Sequence, residues 1–328
     1  MIERWCDLNG PLMRFRAEAD DLLAPAFEGW TLTETPPGDR ADFTLDVAYA
    51  PFTEAPADAP LLFEGVAPPD LHCVVRQVGE YEHYAIDGRA TLLLGDRSGE
   101  LRVCRGEERL VRSGIAFQTI GAALTLGDQL VLHAAALELP ASEAAVLVFG
   151  PSGFGKSTTT LSLIAAGWSL LSDDISVIKR VAGTDRVWGL PLGLKVHRNT
   201  AALLPWLKPL MTEAWNLEQE QTLSVDKLSA FLGVAPANQK PREISSIVVL
   251  TGRNPERHRF DALAKSDALR AIVADNLSRN LQGIGARQQA RLGRIAELVR
   301  NVPTFGLSAG PELQALSSEI LTGLNRSE

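Results

Sequence analysis

The run GPSGFGKSTTT, Gly150 to Thr160, has residue types and spacing that dictate a chemistry. Gly150 to Ser157 match G-x-x-x-x-G-K-[ST] at every fixed position. Glycines let backbone N–H groups turn inward around phosphate oxygens. A helix beginning near Lys156 aims its positive end at the same anion. The Lys156 ammonium then reaches the β- and γ-phosphates, and the Ser157 hydroxyl coordinates Mg²⁺. The contact set for ATP is Gly150, Ser152, Gly153, Gly155, Lys156, Ser157 and Thr158. A chance glycine-rich turn would need neither a strand before it nor a helix after it. Here the apolar run AAVLVF precedes and a helical stretch from Lys156 to Ala166 follows, closed by Gly167.

Asp173 and Asp174 follow the lysine by seventeen and eighteen residues, between SLLS and ISVI. Adjacent acids in an apolar strand are costly unless paired or bound to metal. On a strand they face opposite ways, or one ends the strand, so they should do different work. One can hold Mg²⁺, and the other can take a proton from an attacking hydroxyl. His133, in VLHAAALEL, lies at the end of the strand before the cradle strand. By itself a histidine in an apolar strand is more often a core residue than a catalyst.

Taken together, His133, the GPSGFGKS cradle, the acid pair and the AAGWSLLSDD transition resemble the HPr kinase/phosphorylase family. The resemblance covers residues 118–180. It implies an α/β fold whose P-loop core is related to HPr kinase and phosphoenolpyruvate carboxykinase, and serine kinase chemistry with ATP and Mg²⁺. By position, Asp173 resembles the general base that deprotonates the acceptor serine. Asp174 resembles the acid near the metal, sharing that task with Ser157. His133 resembles the active-site histidine, and Lys156 completes the catalytic set. Ala134 stands where the HPr enzymes carry glycine, and Thr158 and Thr159 where the family often has an acid. These departures direct the reading toward divergent HPr-kinase-like proteins, some of which phosphorylate a serine of a precursor peptide, as in lasso peptide tailoring. The implied acceptor is a peptide or small protein carrying a serine, and the resemblance also implies a homo-oligomer. A small-molecule kinase on the same core and a non-catalytic nucleotide sensor or ATPase are the rival readings.

The elements that must position these residues read as follows. Residues 1–115 are expected to form a β-rich N-terminal domain without a chemical motif, and residues 116–328 the catalytic domain. Residues 50–70, with five prolines, read as an irregular loop, and 81–105 as a β-meander with turns at Asp87-Gly88 and Asp96–Gly99. Residues 116–139 read as a helix running into a strand over 131–139, and 168–180 as one strand with both acids in its middle. Helical periodicity marks 259–282 and 286–302, with a strand over 302–307 and a last helix over 311–324. Lys195, His197 and Arg198 are candidates to line the acceptor or phosphate site, and Arg253 to stabilise transition-state charge. Arg279, Arg287, Arg291 and Arg294 read as a solvated face.

The chain has 328 residues, 45% of them hydrophobic, which is ordinary globular composition with material for about two domains. A net charge of −8 argues against nucleic acid or anionic membrane as partners. Cys6, Cys73 and Cys104 are scattered without metal-ligand spacing, so reduced thiols are expected. MIERWCDLNG has no basic segment leading into an apolar core, so no secretory signal is expected and the cytoplasm is the expected compartment.

Overall fold

Alternating apolar residues in the first hundred positions build a sheet. The computed structural model describes residues 1–23, 30–38, 40–67, 71–108, 110–111, 116–151, 153–190, 192–216, 219–233, 240–277 and 286–326. Contacts divide the chain into two units, Met1–Gln129 and Leu130–Leu277 with Ala286–Glu328.

The first unit holds β1 (Ile2–Asp7), β2 (Leu12–Ala17), β3 (Phe43–Tyr49), β4 (Leu61–Ala67), β5 (Leu71–Val78), β6 (Tyr81–Ile86), β7 (Ala90–Leu94) and β8 (Ser98–Val103). They form one sheet in the order β1-β2-β3-β8-β7-β6-β5-β4. Strands β4 to β8 run antiparallel, each beside the next. Strand β3 lies parallel to both β2 and β8. Alternation sets the buried face: Phe43, Leu45 and Val47 of β3 are each 2% exposed or less. The Asp87-Gly88 turn has φ of 49° and 66°, the left-handed pair that matches the twist of a hairpin. Residues 50–70 are not one loop. LLFEGVA forms β4 because the prolines lie outside it, where no ladder N–H is lost. Helix α1 (Ala116–Leu126) follows within this unit.

The second unit is built on a mixed sheet. Its strands are β9 (Gln129–His133), β10 (Ala135–Glu138), β11 (Ala144–Phe149), β12 (Ser169–Ser172), β13 (Ile175–Val181), β14 (Thr184–Gly189), then β17 (Arg242–Arg253), β18 (Arg259–Ala262) and β19 (Thr304–Ala309). A separate ladder pairs β15 (Leu194–His197) with β16 (Glu220–Leu223). At the centre β11, β17 and β19 run parallel. Parallel strands are covered on both faces, which is why AAVLVF and the IVVL of β17 are continuous apolar runs. Val146, Val148, Val248, Leu250, Phe305 and Leu307 share one cluster with α2 (Lys156–Ala165), α4 (Val225–Leu232) and α7 (Leu316–Asn325), represented by Leu161, Ile164, Leu228, Leu316 and Ile320. Ala145, Leu147, Phe149, Ile247 and Val249 share the other with α5 (Lys265–Asn276) and α6 (Ala286–Asn301), through Ala268, Ile272, Ile295 and Leu298.

Two expected strands are broken, and the breaks matter. The strand over 131–139 divides at Ala134 into β9 and β10, so β10 stands between His133 and the cradle strand. The strand over 168–180 divides at Asp173-Asp174 into β12 and β13. The Ala134 N–H donates to the Asp174 carbonyl at 3.2 Å, and the Ser176 hydroxyl donates to the Ala134 carbonyl at 2.9 Å. The two breaks satisfy each other's backbone groups. A regular ladder would send neighbouring acids to opposite faces, whereas a bend lets both contribute to one place. The helical pattern from 259 to 282 resolves into β18 and α5, with 278–285 outside the described residues. The late strand is 304–309, and α7 follows a 3₁₀ turn at 313–315.

Candidate functional site

The cradle connects the end of β11 to the start of α2. Gly150 is buried at the strand end, and Ser152 lies outside the described residues. Gly153 and Gly155 have φ of 80° and 97°, a region closed to most L residues, and a side chain at either would project into open space. Gly155 is the N-cap of α2 and brings no side chain to cap the free N–H groups of the first turn. Among the described residues the Ser157 hydroxyl makes no hydrogen bond. The Thr158 hydroxyl lies 3.1 Å from that of Thr200, which ties α2 to α3 (Arg198–Leu203). An open cradle, uncapped helix amides and a hydroxyl that is unengaged among the described residues could take a triphosphate, and Ser157 and Asp174 are the groups that could hold Mg²⁺ with it.

Lys156 lies with its side chain only 10% exposed. Its Nζ is 2.7 Å from His133 Nε2 and 3.5 Å from Asp174 Oδ1. His133 Nε2 is also 2.7 Å from Asp174 Oδ1. One ring nitrogen cannot donate to the carboxylate and accept from the ammonium at once. With Nε2 unprotonated, Lys156 donates to it. With Nε2 protonated, it donates to Asp174 and repels Lys156. The Asp174 hydrogen bond raises the His133 pKa, against burial and the Lys156 charge. Burial alone would raise the Asp174 pKa; the His133 hydrogen bond and the charges of His133, Lys156 and Lys195 outweigh it and hold it at about 2.

Asp173 has the opposite environment. It is 8% exposed, and among the described residues its Oδ1 has no hydrogen-bond partner. Burial and the charge of Asp174 push its pKa up to about 7, while the Lys156 charge and the Lys195 backbone N–H pull the other way. Two adjacent carboxyls therefore differ in protonation near neutral pH, the pattern that separates an acid or base from an electrostatic anchor.

The fold thus brings His133, Lys156 and Asp174 into contact, with Asp173 inside the same electrostatic cluster. Of the flanking basic residues, Lys195 approaches Asp173 through its backbone amide, and its side chain is exposed. His197 caps α3 by accepting from the Asn199 N–H at 3.3 Å, and Arg198 donates to Gln219 at 3.1 Å. Arg253 is exposed at the end of β17 and, among the described residues, contacts no member of the cluster. Arg291 and Arg294 are not part of a solvated face: Arg291 donates to the Val131 carbonyl at 2.7 Å, and Arg294 lies within 3.6 Å of Glu297; the Arg287 side chain lies outside the described residues. Arg279 falls outside the described residues.

Sequence reasoning missed Asp275 and Asn276. The Asn276 Oδ1 accepts from the His133 backbone N–H at 2.7 Å, and Asp275 Oδ2 lies 2.9 Å from His133 Nδ1. No sequence signal marked them: the helical pattern read over 259–282 puts both residues in mid-helix, and only the structure ends α5 at Asn276.

No protein-family model and no curated protein matches the chain. Among solved structures, the HPr(Ser) kinase/phosphatase from Coxiella burnetii is similar at 16% identity and a TM-score of 0.32, over 60% of this chain and 97% of that one. A likeness that loose says nothing about chemistry. Among the described residues no helix is long and apolar enough to cross a membrane.

Proposed function

We propose that the protein is an ATP-dependent kinase that transfers the γ-phosphate to a serine hydroxyl of a peptide or small protein. The observation that carries this reading is Asp173. A buried carboxyl whose Oδ1 has no partner among the described residues, with its pKa pushed up to about 7 by burial, is poised to accept a proton at neutral pH within the field of the cradle lysine. Mg²⁺ bound to ATP would neutralise charge on the phosphates. Ser157 and Asp174 would hold that ion. Lys156 leaves His133 and Asp174 for the β- and γ-oxygens, and the amides of the cradle orient them. Asp173 takes the proton of the acceptor hydroxyl as its oxygen attacks the γ-phosphorus, and the bond from that phosphorus to the β–γ bridging oxygen breaks to release ADP. The acid pair favours transfer over simple nucleotide sensing, because a sensor has no use for a carboxyl kept near neutral pKa. A precursor peptide of the lasso type fits this reading as acceptor.

The test incubates purified protein with Mg²⁺, γ-labelled ATP, serine-bearing precursor peptides and HPr. Label should reach a peptide serine, and Asp173→Asn should reduce the rate roughly 10²–10⁴-fold, the usual contribution of a general base. Label on a metabolite instead would identify a small-molecule kinase. ATP turnover indifferent to every acceptor and to Asp173→Asn would sink the proposal.

A further inference from the structure

The chain between β14 and β17 carries exposed aromatic surface close to the cradle. Among the described residues only two phenylalanines are exposed, Phe154 in the cradle and Phe231 in α4. Phe231 is 45% exposed and stacks on Trp206, with ring centroids 6.5 Å apart and planes at 15°. Trp206 belongs to a 3₁₀ turn, Pro205–Leu210, and Leu203, three residues before it at the end of α3, is 52% exposed. Leu207 and Leu228 already sink the turn and α4 into the core, so the exposed side chains are not needed to anchor them. Lys208, exposed on the same turn, has no carboxylate within salt-bridge reach among the described residues. The patch hangs on the candidate site. Thr200 of α3 meets Thr158 of α2 at 3.1 Å, and β15, which leads into α3, reaches Asp173 through the Lys195 N–H. With about 3.3 Å per residue in β15, 1.5 Å in α3, 3.6 Å in the link and 2 Å in the turn, Trp206 lies at most about 25 Å from Lys195.

We infer that Leu203, Trp206 and Phe231 form the docking surface for a large apolar side chain of the acceptor peptide, placed within about seven residues of its serine, the number that spans such a distance in extended form. The inference rests on the kinase reading for the serine, not for the docking. Three side chains are too few for a second copy of the chain, since a stable dimer takes about 800 Å² from each partner. One large aromatic side chain buries about 150–250 Å², which matches a single anchor. A carboxylate beside the anchor would meet Lys208. A peptide fixed at the patch presents its serine to Asp173 with less left to order, and one without the anchor loses that gain.

The experiment uses the full chain and synthetic peptides with one central serine. A single phenylalanine is stepped through the positions within that reach on either side, against a companion with alanine throughout. Calorimetric titration reads binding without turnover, and γ-labelled ATP reads transfer. Phenylalanine at one or two positions on one side of the serine should tighten binding roughly 10–100-fold, as burial of one such side chain does. Phe231→Ser should erase most of that gain, and Phe231→Leu, which restores apolar area, should return it. If Phe231→Ser does not fold, Leu203→Ser takes its place. No positional preference, or one that these variants leave intact, overturns the inference. Equal losses on the phenylalanine and alanine peptides would mark a merely structural residue and also overturn it. A dimer that Phe231→Ser dissolves would give the patch to a second copy, and weakened ADP binding in that variant would give it to the nucleotide; either overturns the inference. Tight binding of a phenylalanine peptide that is never phosphorylated supports the docking surface and removes the kinase reading. Transfer to serine without positional preference does the reverse.

Discussion

Asp173 is held in a state that folding itself resists. Its pKa is raised from 3.8 to about 7, first by burial and then by Asp174. Between those values the folded chain binds a proton that the unfolded chain has released. Stability therefore falls as pH rises from about 4 to about 7, and levels off above. Each pKa unit is worth about 1.4 kcal/mol, so the penalty above pH 7 amounts to a few kcal/mol. Asp173→Asn, neutral and nearly isosteric, should melt higher than wild type at pH 8 and close to it at pH 4, in the absence of nucleotide and Mg²⁺. Equal melting differences at both pH values would mean that the carboxyl is not buried in this way. The same variant should lose most of its activity, so stability and activity oppose each other at this residue.

At the scale of elements, the site depends on two strand breaks being held in register. Gly189 ends β14 where the Leu171 backbone and the Ser172 side chain pass, immediately before the acids. A Cβ there would run into the Leu171 carbonyl oxygen, which has no flexible end to move aside. Gly189→Ala should cost about 1–3 kcal/mol by overpacking and displace Asp173. Gly293, exposed on α6 with open space around it, serves as the control. Gly293→Ala should raise stability by about 0.4–1 kcal/mol. Denaturant midpoints of the two variants check both values. An unchanged midpoint for Gly189→Ala would show that β12 can shift without harm.

At the scale of the whole molecule, all the clustered side chains belong to the second unit, and the sheet β1–β8 contributes none of them. Nucleotide should therefore leave a local imprint. Amide exchange with Mg²⁺ and ADP should slow at 153–158 and around 173–174, with β1–β8 unchanged. At a ligand concentration of 100 Kd the bound state gains about 2.7 kcal/mol, enough to register in melting. Protection confined to β1–β8 would relocate the nucleotide.

The sequence alone announced the cradle, because G-x-x-x-x-G-K-S specifies backbone conformation and lysine placement within eight neighbouring residues. It also marked AAVLVF as a buried strand, since a strand covered on both faces is apolar throughout. It marked the acids as odd, because AAGWSLLSDDISVI offers no solvent for them. The sequence did not show that β9 and β13 begin or end at breaks bonded to each other. Nor did it show that α5 brings Asn276, 143 residues beyond His133, to its backbone. Those facts depend on which strands become neighbours, and neighbours are chosen by packing of the whole sheet rather than by local pattern. The different pKa values of Asp173 and Asp174 are decided at the same level. The two residues are chemically identical, and only burial and the placement of His133, Lys156 and Lys195 set them apart.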